Sequence, residues 1–158
     1  MKIDLSELNK EQKEAVTYTG GPLLVLAGAG SGKTKCLTYR VAYYMSEMKV
    51  PENQILLTTF TNKAAGEMKE RVLKLIGKSP GFAGTFHSFC ARILRIDGKY
   101  TGIPPGFLIY DEQDQKQLVK QILEDLNLPT DAFNPAAILA SISDAKNQML
   151  SPTQYSEF

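Results

Sequence analysis

The chain has 158 residues, 43% of them apolar and 22% charged, with a formal net charge of +1. That is long enough to bury a substantial core as one large domain or a domain and a half, with the balance of an ordinary soluble globular protein. It excludes a membrane span, which needs ~20 consecutive apolar residues, and the mixed-charge start Met1-Lys2-Ile3-Asp4-Leu5-Ser6-Glu7 lacks the apolar stretch of a signal peptide.

In chain order, a short helix is expected over about 10–18, after Asn9. The turn Thr19-Gly20-Gly21-Pro22 leads into the apolar run Leu23-Leu24-Val25-Leu26, expected to be the first strand of a parallel sheet. Ala27-Gly28-Ala29-Gly30-Ser31-Gly32-Lys33-Thr34 follows directly. Strand, glycine-rich turn, Lys-Thr and helix in this register make a phosphate-binding loop. Its glycines adopt backbone dihedrals closed to other residues, so successive amides converge on a phosphate. The helix starting near Gly32 adds the positive end of its dipole. Lys33 is placed to reach the β- and γ-phosphates, and the Thr34 hydroxyl to ligate a magnesium ion, which makes ATP with Mg2+ the expected ligand. The strict pattern opens with glycine; Ala27 substitutes provided its φ is negative.

A second helix is expected over about 32–48, with Leu37, Val41, Tyr44 and Met45 at helical spacing. A second strand, 55–60, precedes a helix over 62–76, with Asn62 as its expected N-cap and Gly77 as its stop. A third strand, 82–86, passes into a helix holding Phe89, Ile93 and Leu94. Short apolar strands alternating with helices signal an α/β fold with a parallel, doubly wound sheet. Cys36 and Cys90 are the only cysteines, too few for a disulfide framework or a zinc site, so a cytoplasmic setting is expected.

The pattern changes after Tyr100. Thr101-Gly102-Ile103-Pro104-Pro105-Gly106 reads as a connector. An extended piece, 107–110, and two helices, about 112–126 and 135–149, read as a helical subdomain, giving an expected division into 1–100 and 101–158. Ser151-Pro152-Thr153-Gln154 is a helix-start signal close to the last residue, Phe158. A helix started so late suggests the front part of a longer protein.

Charge is uneven. Residues 62–100 hold eight Lys and Arg against three acids, whereas 111–131 hold two against six. The basic stretch reads either as a phosphodiester footprint or as a solvated helix face.

Four segments together carry a resemblance. Leu8-Asn9-Lys10-Glu11-Gln12-Lys13-Glu14-Ala15-Val16, the loop at 27–34, Thr59-Phe60-Thr61-Asn62-Lys63-Ala64-Ala65 and Gly84-Thr85-Phe86-His87-Ser88 closely resemble, in order, motifs of the UvrD/PcrA/Rep group of superfamily 1 DNA helicases. The resemblance extends over the whole chain. It implies a RecA-like P-loop NTPase sheet with flanking helices, followed by part of an inserted helical subdomain. It also implies the N-terminal portion of an ATP-dependent 3′-to-5′ translocase on single-stranded DNA and at single-strand/duplex junctions.

Residue by residue, Gln12 matches the family's adenine-reading glutamine, although Asn9 with Gln12 equally forms a capping box. Ala27, Gly28, Ala29, Gly30, Ser31, Gly32, Lys33 and Thr34 match the nucleotide-binding loop. Lys35 stands where the family usually carries an arginine against the nucleotide; lysine keeps the charge without the planar stacking surface. Phe60, Thr61, Asn62 and Lys63 match the first DNA-contacting motif, where an aromatic at a strand end can stack on a base; the alternative leaves Phe60 in the core. Thr85, Phe86 and His87 match the second, and His87, the only histidine, reads otherwise as a structural hydrogen-bonder.

Leu108-Ile109-Tyr110-Asp111-Glu112 imitates the acidic strand end of a P-loop ATPase. Asp111 reads better as a helix N-cap with Asp114 at the third helical position. The chain then lacks an acidic metal ligand, a catalytic glutamate and an arginine finger, and is expected to hydrolyse ATP feebly or not at all. The competing readings are a complete small P-loop NTPase or kinase, and a non-catalytic nucleotide- or DNA-binding module.

Overall fold

A computed structural model describes residues 3–157; Met1, Lys2 and Phe158, which entered the reading of the two chain ends, lie outside the described residues. Two units divide between Pro105 and Gly106.

The first unit holds α1 (Lys10–Thr17), α2 (Lys33–Ser46), β1 (Leu56–Thr59), α3 (Asn62–Ile76), β2 (Phe82–Thr85) and α4 (Phe86–Asp97), with 3-10 turns at Glu52–Gln54 and Gly98–Thr101. β1 and β2 are parallel, paired from Leu56↔Phe82 to Thr59↔Thr85. Parallel neighbours need a crossover, and α3 supplies it. Gly77, at φ +69°, ends α3 in the left-handed conformation that glycine adopts without a Cβ penalty.

The core lies where α2 and α3 meet the strands: Val41, Met45, Leu57, Met68 and Val72, with Ile55, Ile76 and Ala83 packed around them. Each fully buried aliphatic side chain contributes about 1.5–3 kcal/mol. A second cluster, Leu8, Val16 and Tyr39 with Ile3, Leu5, Cys36, Tyr43 and Leu75, fastens the N-terminal segment and α1 onto α2.

The second unit holds α5 (Glu112–Asp125), α6 (Pro135–Asn147) and the short α7 (Pro152–Tyr155). Asp111 accepts hydrogen bonds from the Gln113 and Asp114 amides at 2.8 and 2.9 Å, and Asp114 accepts from the Asp111 amide at 3.0 Å. Ser151 and Gln154 form the same reciprocal cap on α7. Both caps were legible in the sequence.

Three expectations are corrected. Leu23–Leu26 forms no strand: its residues are 41%, 82%, 46% and 88% exposed. The two-residue alternation is that of extended backbone. A wholly apolar run marks a strand flanked on both sides, yet β1 and β2 pair only with each other, so no strand among the described residues pairs with it. Second, the cap of α3 is Thr61, not Asn62. Thr61 keeps the extended backbone of the preceding strand (φ −126°, ψ 146°), its side chain accepts from the Ala64 amide, and Asn62 is already helical. Third, β2 ends at Thr85, whose hydroxyl caps α4, so Phe86 opens the helix rather than closing the strand. Among the described residues no helix is long and apolar enough to cross a membrane.

Candidate functional site

The glycine-rich segment closes into a tight turn. Gly30 and Gly32 sit at φ +74° and +83°, left-handed conformations that side-chain-bearing residues avoid. Among the described residues the non-glycine residues with positive φ are Lys49, Asn127 and Met149, so Ala27 keeps a φ that tolerates its methyl group. The Ser31 hydroxyl donates to the Gly28 carbonyl at 2.7 Å. The Lys33 ammonium lies back across the turn, donating to the carbonyls of Ala27 at 3.1 Å and Gly28 at 2.7 Å. Space beside Gly28 and Gly30 is open to at least 4 Å, and Ala29, Lys33 and Thr34 are exposed at the N-terminus of α2. An open glycine turn, an ammonium and a helix N-terminus are the elements from which anion sites are built.

Gln12 uses both ends of its amide. Its Oε1 accepts from the Asn9 amide at 3.2 Å while Asn9 Oδ1 accepts from the Gln12 amide at 2.8 Å, which completes the capping box. Its Nε2 donates to the Ser31 carbonyl at 3.0 Å. A Cβ on Gly32 would stand 2.8 Å from that nitrogen, so Gly32 serves both the turn and the approach of Gln12.

Lys35 is tied to Glu7. Its ammonium lies 3.1 Å from Glu7 Oε2 and donates to the Glu7 carbonyl at 3.0 Å. The Tyr39 hydroxyl donates to the same Oε2 at 3.2 Å. The hydrogen bonds from Lys35 and Tyr39, with the Lys35 charge, hold the Glu7 carboxyl below its ordinary value. Arg40 escaped the sequence reading. Its guanidinium donates to the Ala15 and Tyr18 carbonyls at 2.6 and 2.7 Å and lies over the Tyr44 ring, closing the C-terminal end of α1 against α2. Its two carbonyl partners lie more than twenty residues upstream, so no local pattern announces them. Cys36 Sγ sits 3.9 Å from the Gln12 carbonyl, and burial pushes its thiol pKa up, which suits packing rather than reactivity.

A second cluster stands at the carboxyl ends of the strands. Phe60, just past β1, is 91% exposed and Phe86 is 53% exposed, which removes the core reading of Phe60. Thr61 and Thr85 spend their hydroxyls on the Ala64 and Ser88 amides. Asn62, Lys63 and His87 lie exposed in the first turns of α3 and α4. Two helix N-termini thus flank an exposed aromatic pair, offering positive dipole ends beside stacking surfaces. Asp111, by contrast, spends its carboxylate capping α5 in the second unit. An apolar groove of about 580 Å³ also lies there, lined by Phe133, Ile138, Ile142, Leu150 and Tyr155, with none of the expected site residues.

Among the described residues no three His, Cys, Asp or Glu side chains come together as a metal site. Thr34, exposed in the first turn of α2, offers a hydroxyl oxygen beside the glycine turn.

The family profile described as UvrD/REP helicase N-terminal domain matches residues 8–158. Over 157 residues the chain is 51% identical to the ATP-dependent DNA helicase PcrA of Bacillus subtilis (strain 168), covering 97% of this chain and 21% of that protein. PcrA of Staphylococcus aureus (strain Mu50) is 48% identical over 154 residues, covering 96% and 21%. PcrA of Leuconostoc citreum is 46% identical over 153 residues, covering 95% and 20%. The chain spans about a fifth of the length of these curated relatives.

Proposed function

This chain belongs to the UvrD/REP helicase family, and from that membership we propose that it is the ATP- and single-stranded-DNA-binding front portion of an ATP-dependent 3′-to-5′ DNA helicase. The observation that carries the reading is the hydrogen bond from Gln12 to Ser31. It joins a side chain able to read a base edge to a loop able to hold phosphates.

In this reading the fold is a RecA-like P-loop NTPase sheet. Residues 1–100 bind nucleotide and DNA, and 101–158 begin a helical inserted subdomain. Lys33 leaves the Ala27 and Gly28 carbonyls for the β- and γ-phosphates, and the amides of Gly28 through Thr34 take the remaining phosphate oxygens. Magnesium, when bound, neutralises phosphate charge, and Thr34 holds it. Gln12 contacts adenine, and Lys35 lies alongside the nucleotide. Phe60 and Phe86 offer rings to unpaired bases, while Thr61, Asn62, Lys63, Thr85 and His87 line the adjoining phosphate track. The working setting is cytoplasmic, on single strands and at their junctions with duplex.

The acidic residues and arginine that complete phosphoryl transfer are absent from this constellation, so the chain by itself binds ATP without turning it over. The test is equilibrium binding and hydrolysis of magnesium-ATP by this chain, with and without a single-stranded oligonucleotide, beside Lys33→Ala. Saturable binding that Lys33→Ala abolishes, with no turnover above the variant, is expected. Absence of binding overturns the nucleotide site. DNA-stimulated turnover dependent on Lys33 overturns the assignment of Asp111 as a purely structural cap.

A further inference from the structure

Two consecutive residues, Glu7 and Leu8, fasten the entry to α1 onto α2, and the next, Asn9, caps α1. Glu7 takes the Lys35 ammonium through both its carboxylate and its carbonyl, and the Tyr39 hydroxyl through its carboxylate. Leu8, 4% exposed, packs with Val16 and Tyr39. Asn9 caps α1 and accepts from Gln12. Gln12 then reaches Ser31, and the chain runs on through Gly32, Lys33 and Thr34 back to Lys35. The contacts close a ring around the first turn of α2, in which Glu7 is the one carboxylate.

We infer that Glu7 is a positioning residue for base recognition: by anchoring residues 7–9 to Lys35 and Tyr39 it sets where the Gln12 amide stands relative to the phosphate loop. The ion pair is exposed, with 68% of the Glu7 side chain and 35% of that of Lys35 accessible, and exposed pairs add little to stability. Its effect is geometric. It removes freedom from a segment only two residues from the α1 cap, and it keeps a lysine, which lacks the planar face of arginine, from wandering off the first turn of α2. The inference rests on Gln12 reading the base.

The experiment is competitive equilibrium binding of ATP and of GTP, each with magnesium, to this chain and to Glu7→Gln, with Gln12→Ala as reference. Glu7→Gln keeps the shape and removes the anion. It is expected to weaken ATP about three- to fivefold, the scale of one exposed charged contact, and to leave GTP unchanged, so the preference for ATP shrinks toward that of Gln12→Ala. Equal weakening of both nucleotides overturns the inference, since a loosened fold does not distinguish bases. If Gln12→Ala loses the preference while Glu7→Gln keeps it, Glu7 has no positioning role and base reading by Gln12 stands. If Gln12→Ala leaves the preference untouched, base reading by Gln12 falls, and this inference falls with it.

Discussion

Phe60 and Phe86 stand with ring centroids 6.3 Å apart and planes tilted by 56°, each the residue just after one of two paired parallel strands. The strand register dictates this. Thr59 pairs with Thr85, so the next residue of each strand emerges at the same edge. There the chain turns into a helix through a capping threonine. The carboxyl edge of a parallel sheet is where α/β proteins place ligands, and here it presents two aromatic faces to solvent.

Replacing Phe60 by alanine should weaken binding of a single-stranded oligonucleotide by about 1–3 kcal/mol, the scale of one base stacked on an aromatic ring. The melting temperature should hold, because the side chain is 91% exposed. Fluorescence titration with a labelled oligonucleotide, beside a thermal melt, checks both. Lost stability with unchanged affinity would return Phe60 to a packing role.

Gly32→Ala should be costly twice over. The left-handed φ of +83° costs a side-chain-bearing residue about 1–2 kcal/mol, and the new methyl would meet Gln12 Nε2 at 2.8 Å. Magnesium-ATP affinity should fall and the unfolding midpoint should drop together. A variant matching the parent in both would mean the turn relaxes without loss.

Arg40→Ala leaves the Ala15 and Tyr18 carbonyls without their charged donor. Charged hydrogen bonds contribute about 1.5–3 kcal/mol, so urea unfolding should register a loss of that order, with hydrogen exchange fastest in α1. Uniform exchange across the unit would argue against a local latch.

Acid should undo the Glu7 anchor. Because its folded-state pKa lies below the ordinary 4.5, the carboxylate stabilises the fold above that value, and the contribution disappears as pH falls through the lowered one. Glu7→Gln should therefore melt slightly below the parent at neutral pH, with the gap closing in acid. A gap that persists at low pH would assign the difference to something other than charge.

Signals written within a few residues were legible in advance. Asn9, Asp111 and Ser151 cap helices as their spacing demands, Gly77 ends α3, and the glycine-rich segment turns through Gly30 and Gly32. What escaped depends on distant residues. Leu23–Leu26 has a strand's composition, but a strand exists only with a neighbour, and pairing is not written in the run itself. Lys35 finds Glu7 twenty-eight residues upstream, which a motif comparison cannot foresee. The cap of α3 fell one residue from its expected place because Thr61 and Asn62 both suit the role, and the exit direction of β1 chose between them.

Leu23–Leu26 also bears on how the chain behaves in a tube. From Ala15 to Gly32 the sequence carries no charge, and the exposed extended stretch within it has no ladder partner among the described residues. Unpaired apolar backbone of this kind is a template onto which another extended segment adds, and no charged residue interrupts the run itself. Concentration and ionic strength will therefore govern how long the isolated chain stays dispersed, and a charged residue on the outward side, at Leu24 or Leu26, is the simplest way to keep it so.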